Sequence, residues 1–294
     1  MRPQVVIVAT ILLDAFLFGI NILVASRGGS RVVLSQAVFN AADLLGGGMV
    51  YWGFLRSQQP PDISHPFGYG KERFFWAFVA SLLTFTIAGL VVFGSGFDQV
   101  IAPGVVSRVG EGLLVVGATL VVSVAGILIM LRELRLGQET VSSLIESAHV
   151  GLKTIFYQDV VSVFGSAVAF VGLIGVYRSG SVFLDGLTAA VVGLIMIATG
   201  LVLVQESRDL LVGKAISPEQ ARSILQIVER DPRVRQVRSL QSMMLGPDEA
   251  LLAMRINFRD GMDTDQIESA IDQVSLSARK VLPQLKHVII EPES

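Results

Sequence analysis

Six apolar stretches dominate the first two thirds of the chain, at roughly 5–25, 32–55, 74–97, 112–131, 154–177 and 182–204. Each is close to the ~20 residues that carry an α-helix across the hydrocarbon core of a bilayer. Strands of a membrane barrel would alternate apolar and polar positions over ~10 residues, and these stretches do not alternate. The pattern predicts six transmembrane helices. The first run is longer than the core of a signal peptide and contains Asp14 and Asn21, so it is read as a retained span.

The pattern changes after residue 210. Ser217-Pro218-Glu219-Gln220 predicts a helix start, with Ser as N-cap, Pro at the first helical position and Gln three residues on as a capping box. Ile224, Leu225, Ile227 and Val228 follow at helical spacing. Val234–Met244 and Leu251–Phe258 alternate, and Gly246-Pro247-Asp248 between them is a turn signal. Asp263 and Thr264 can cap a second helix carrying Ile267, Ile271, Val274 and Leu282, and His287–Ile290 reads as a last short strand. The expected architecture is an α-helical membrane protein. A six-helix transmembrane domain, 1–210, is followed by a small cytoplasmic α+β domain, 211–294, of αββαβ, ferredoxin-like order.

Composition agrees with this division. Of 294 residues 52% are hydrophobic and 16% charged, with a mean hydropathy of +0.63, whereas soluble domains carry about 25% charge. Nearly half of the 23 basic and 25 acidic residues stand in the last 84 positions. A formal net charge of −2 offers no basic field for nucleic acid. Cysteine is absent, which excludes disulfides, thiolate metal sites and Cys nucleophiles. Only His65, His149 and His287 are present, so a metal site here is built mainly from oxygen ligands. No pattern for nucleotide binding, nucleophilic catalysis or a zinc hydrolase occurs, so the chain is not expected to be an enzyme or to hold a cofactor. Six spans put both termini on one side. Arg2, Arg56, Lys71, Arg73, Arg132, Arg135 and Lys153 flank that side against Arg27, Arg31, Arg108 and Arg178 on the other, which makes the termini cytoplasmic.

An ionisable residue at membrane depth is costly and is a functional candidate by default. Asp43 lies in the middle of the second run, with Asn40 three residues earlier on the same helical face. Asp159 lies in the first third of the fifth run, next to Gln158. Two helices each bring a carboxylate and an amide to similar depth, a set suited to a divalent cation. Protons would compete for the same oxygens, as antiport requires. The alternative is a pair of polar contacts between helices. Asp14 and Asp185 are secondary candidates, Asp185 as a helix-start residue near the interface. Gly46-Gly47-Gly48 suggests close helix contact or bending. In the loop between the second and third runs, Asp62 and His65 stand three apart and could share a metal. His149 and His287 have no nearby partner and read as surface residues.

These features together resemble the cation diffusion facilitator family. The resemblance rests on six spans, the His65-Pro66-Phe67-Gly68-Tyr69-Gly70-Lys71-Glu72 segment, the intramembrane Asp43 and Asp159, and the αββαβ tail. Gly28-Gly29-Ser30 before the second span and the segment from Glu206 to Glu219 also match. The resemblance implies a homodimer in a bacterial-type inner or plasma membrane that exports Zn²⁺, or a related ion such as Mn²⁺ or Fe²⁺, in exchange for protons. In the family's second-helix motif an acidic residue or His precedes Asp by four. Asp43 fills the later place and Phe39 the earlier one, with Asn40 the nearest substitute. In the fifth helix Asp159 fills the later place and Ile155 the earlier one, with Gln158 the substitute. The resemblance thus implies a transport site of Asp43, Asp159, Asn40 and Gln158, harder than a His-containing zinc site. Asp62 and His65 match a loop-borne second site whose last position falls on Tyr69. Arg255 stands among the tail's metal positions, so no binuclear zinc site is expected there. The alternative is a non-transporting member, a membrane scaffold or partner subunit whose metal site is degenerate at Phe39 and Ile155.

Overall fold

The computed structural model describes residues 3–136 and 150–293, and their side chains except at 3–11, 129–130, 133–136 and 150–159. His149 lies outside the described residues. The chain divides into two compact units, Met1–Arg56 with Phe74–Arg208, and Ser57–Arg73 with Asp209–Ser294. The segment 57–73, between the second and third helices, therefore groups with the C-terminal part of the chain.

The first unit is helical: α1 Pro3–Gly28, α2 Arg31–Ser57, α3 Glu72–Ile101, α4 Val109–Leu136, α5 Val150–Ser179 and α6 Val182–Val212. Among the described residues five helices are long and apolar enough to cross a membrane: Arg31–Ser57, Glu72–Ile101, Val109–Leu128, Val160–Ser179 and Val182–Val212. Leu45, Leu90, Val121, Phe164 and Val202 are exposed on them, a distribution suited to a hydrocarbon solvent rather than to water. One cluster joins Val24 and Ala25 of α1, Val33 of α2, Val116 of α4, Leu173 of α5 and Val192 of α6. A second joins Phe39 and Ala42 of α2, Phe85 and Val92 of α3, and Met196 and Leu203 of α6.

Helices α3 and α6 meet backbone to backbone. A Cβ at Gly96 would stand 2.5 Å from the Ala190 nitrogen, one at Gly193 2.5 Å from the Phe93 nitrogen, and one at Gly200 2.8 Å from the Thr86 nitrogen. Gly186, Gly193 and Gly200 recur every seven residues, so one stripe of α6 stays open to its neighbour. A Cβ at Gly48, by contrast, would meet nothing within 4 Å, while Gly46 is buried. The α3 helix also contains a π-helical stretch, Ser81–Ile87. Ser81 Oγ donates to the Ala77 carbonyl at 2.8 Å and Thr84 Oγ1 to the Ala80 carbonyl at 2.7 Å. Such bonds compete with the backbone ladder and accompany local rewinding.

Asp185 stands in the first turn of α6. It is fully buried, and its carboxylate accepts the Ser30 hydroxyl at 2.5 Å and the Arg31 backbone N–H at 2.6 Å. It therefore serves the unsatisfied donors at the start of α2 rather than those of its own helix.

The second unit follows the predicted element order. It comprises α7 Pro218–Val228, β1 Val234–Gly246, β2 Glu249–Phe258, α8 Thr264–Val281 and β3 Leu285–Glu293. The predicted capping box of Ser217 with Gln220 forms, and Asp263 caps the second helix in a further box with Gln266. The sheet order is β1-β2-β3, with β1 antiparallel and β3 parallel to β2. Leu252, Met254 and Ile256 of β2 are buried with Ile224 and Val228 of α7 and Ala270 and Val274 of α8. Leu251 and Ala253 are half-buried and Arg255 is exposed, the period-2 alternation of a sheet covered on one face.

Segment 57–73 lies against this sheet. Phe67 meets the ring of His287 edge-on at 5.1 Å, Lys71 Nζ stands 3.7 Å from Met243 Sδ, and a Cβ at Gly70 would meet the Leu245 carbonyl at 2.5 Å. His287 also lies 3.2 Å from Glu249 Oε1 and is half-buried. This corrects the expectation of a surface histidine without neighbours: β-strand pairing brings Leu251 opposite His287, and the 57–73 loop covers it.

Candidate metal site

The residues expected to form a transport site fall on α2 and α5. Both are apolar enough to be held by packing, so their few polar residues are positioned by the register between them. Ser166 Oγ of α5 donates to Gln36 Oε1 of α2 at 2.9 Å. A Cβ at Gly165 would lie 3.6 Å from the Phe39 ring, and Val161 packs against the cluster that contains Phe39 and Ala42. Each step forward along α2 is thus met by a step back along α5, so the two helices are antiparallel here. Asp43 and Asp159 each stand seven residues from this hydrogen bond, forward along α2 and back along α5.

Asn40 is buried, and its Nδ2 has no hydrogen-bond partner among the described residues. Asp43 is half-buried. The side chains of Gln158 and Asp159 lie outside the described residues; their backbone belongs to α5. Phe39 is buried against Phe85, with ring centroids 6.0 Å apart at 83°, so this position offers a ring and no ligand. Asp14 on α1 is half-buried.

Sequence reading overlooked Gln36, Ser162 and Ser166. All three are buried in the helix bundle. Ser162 and Ser123 of α4 share a hydrogen bond of 2.9 Å. Gln36 stands seven residues before Asp43, on the same face as Asn40, and that spacing was the available signal. No group of three or more His, Asp or Glu side chains able to hold a metal occurs among the described residues.

In the 57–73 loop Asp62 and His65 are neighbours, with His65 Nδ1 3.5 Å from Asp62 Oδ1. Asp62 Oδ1 accepts the His65 backbone N–H at 2.6 Å and Oδ2 accepts the Tyr69 hydroxyl at 2.8 Å. These bonds, the Tyr69 hydroxyl foremost, hold the Asp62 carboxyl below its usual range. The ring of Tyr69 lies 4.2 Å from that of His65. The position at which the family resemblance implies a third loop ligand thus carries a phenol that donates to Asp62.

Residues 7–212 match the family model described as the cation efflux transmembrane domain. The chain belongs to the cation efflux family. With its apolar helices, this makes it an integral membrane protein. It is 24% identical over 238 residues to metal tolerance protein C4 of Arabidopsis thaliana, covering 79% of this chain and 52% of that protein. It is 24% identical over 276 residues to the human mitochondrial proton-coupled zinc antiporter SLC30A9, covering 88% of this chain and 48% of that one. It is also 24% identical over 279 residues to the cation-efflux pump FieF of Klebsiella pneumoniae, covering 94% and 88%. The chain spans about half the length of the first two relatives. Among solved structures, the nickel form of a MamM CTD variant matches 26% of this chain and 98% of its own, at 18% identity and a TM-score of 0.25.

Proposed function

We propose that this protein is a divalent metal cation transporter that exports Zn²⁺, or a related ion such as Mn²⁺ or Fe²⁺, from the cytoplasm in exchange for protons. The observation that supports the reading is the hydrogen bond between Ser166 of α5 and Gln36 of α2, with Asp43 and Asp159 each seven residues from it along antiparallel helices. In this reading both carboxylates bind the cation, and Asn40 and Gln158 complete the set with amide oxygens. A divalent ion neutralises two carboxylates that would otherwise be costly at this depth; when it leaves, protons take its place. Oxygen-only ligation suits harder ions as well as zinc. Asp62 and His65 form a second, two-ligand cation site in the loop. The names of SLC30A9 and FieF, an antiporter and an efflux pump, support the transport reading.

The proposed architecture has six spans, α1 through α6, in residues 1–210, and a ferredoxin-like cytoplasmic domain in 211–294. Both termini are cytoplasmic, in a bacterial-type inner or plasma membrane, and the assembly is a homodimer. A second reading, a non-transporting scaffold or partner subunit, is favoured by one observation. Phe39 packs against Phe85 where the family resemblance implies a ligand.

Transport into liposomes under a pH gradient separates the two. Zn²⁺, Mn²⁺ and Fe²⁺ are offered to the wild-type chain and to Asp43→Ala and Asp159→Ala variants. Flux that collapses the gradient and needs both carboxylates is expected. A folded wild-type protein that moves none of these ions would establish the scaffold reading.

A further inference from the structure

We infer that the cation path extends beyond Asp43 and Asp159 as a ladder of neutral oxygen groups, with Gln36 and Ser166 forming a second, weaker coordination station toward the N-terminal end of α2. The inference rests on the proposed transport reading and adds residues to it.

The two helices carry mirrored polar stripes. On α2 they stand at Asp43, Asn40 and Gln36, steps of three and then four residues back. On α5 they stand at Asp159, Ser162 and Ser166, steps of three and then four residues forward. Each stripe occupies one helical face. The antiparallel register therefore sets the backbones in three rungs: Asp43 with Asp159, Asn40 with Ser162, and Gln36 with Ser166. The last rung is closed directly by the 2.9 Å hydrogen bond.

Burial makes this set more than helix-packing decoration. Gln36 is 1% exposed, Asn40 2%, Ser166 2% and Ser162 9%. Gln36 Nε2 and Asn40 Nδ2 have no hydrogen-bond partner among the described residues. A buried amide left half-satisfied costs about 1–3 kcal/mol, so the open group of Gln36 leaves a place for a guest. Rotating either amide by 180° exchanges its nitrogen and oxygen. For Gln36 the Ser166 hydroxyl can reverse roles and accept, which turns the amide oxygen toward an ion.

The chemistry of the guest follows from the donors. Amide and hydroxyl oxygens suit a partly hydrated divalent cation. Carrying no charge, they hold it less tightly than two carboxylates. A station that binds weakly enough to release is what conduction beyond a tight site needs.

The experiment uses the full chain, with Zn²⁺ and Mn²⁺ as probes. Gln36→Met keeps length and apolar packing while removing the oxygen. It is expected to slow flux at least tenfold while Zn²⁺ affinity at equilibrium, read by titration calorimetry, stays within threefold. Flux at the wild-type rate, or affinity lost as fully as in Asp43→Ala, would overturn the station. A second arm does not depend on transport. In the Asp43→Ala/Asp159→Ala background, Gln36→Glu is expected to create Zn²⁺ binding that Ser166→Ala weakens at least threefold. If the wild type carries no ion, the proposed function fails by itself and this arm still decides the ladder. Absence of binding in a folded variant would remove it.

Discussion

The rings of Phe39 and Phe85 meet edge-on, 6.0 Å apart at 83° and both buried, joining α2 to the π-helical stretch of α3. Phe39 stands one helical turn from Asp43, so the contact fills with aromatic packing a place from which a side chain could reach a cation held in the proposed Asp43 site. Phe39→Asp puts a third carboxylate on that face. The expected result is Zn²⁺ affinity at least tenfold tighter by titration calorimetry. Without metal, thermal stability in detergent should fall by about 3 kcal/mol, the scale of an uncompensated buried charge. Unchanged affinity in a folded variant would place the cation away from this level.

The α3–α6 contact depends on the missing side chain of Gly193. Its Cβ would lie 2.5 Å from the Phe93 nitrogen and 2.8 Å from its Cα, and backbone cannot move aside as a flexible side chain can. Gly193→Val should therefore destabilise the protein by about 1–3 kcal/mol or more, the cost of overpacking. Gly48→Ala meets nothing within 4 Å; in a helix it should be neutral or stabilising by up to about 1 kcal/mol. Melting curves of the two variants in the same detergent test the contrast. Equal melting temperatures would mean that the helices do not approach at Gly193.

The 57–73 loop should loosen in acid, and Tyr69 should set the point at which it does. Asp62 is held below its ordinary pKa of about 3.9, first by the Tyr69 hydroxyl and then by the His65 backbone N–H. A carboxyl with a lowered folded pKa contributes stability above its unfolded value and loses it as pH falls through the folded one. The loop is therefore fully held at neutral pH and weakens only below about 4. Tyr69→Phe removes the leading cause and should move the Asp62 titration upward, seen in the carboxyl carbon resonance. An unmoved titration would mean that the phenol does not bond to Asp62 in solution.

How far the chain could be read in advance varied with the range of the interactions involved. Helix ends in the tail were legible because capping is local: Ser217 and Asp263 each bond within three residues. The strands were legible from alternation, and the turn from Gly246-Pro247-Asp248. His287 was misread because its neighbours come from Glu249 and from the distant Phe67. Asp185 was half-read: a polar residue at the start of α6 suggested a local role, yet it bonds to Ser30 and Arg31, more than 150 positions away.

By itself, the sequence determined what depends on solvent and on near neighbours. Long apolar runs must satisfy their backbone internally and so become helices. An Asp at membrane depth needs a compensating partner, so Asp43 and Asp159 stood out without coordinates. Only the tertiary structure decided how helices register against one another. That register is the sum of many weak contacts spread over α2, α3, α5 and α6, and no single residue announces it. It turned Phe39 toward Phe85, opened the glycine face of α6 to α3, and brought Gln36 to Ser166. A polar residue's helical face is legible in its spacing, but the residue across from it is chosen by packing.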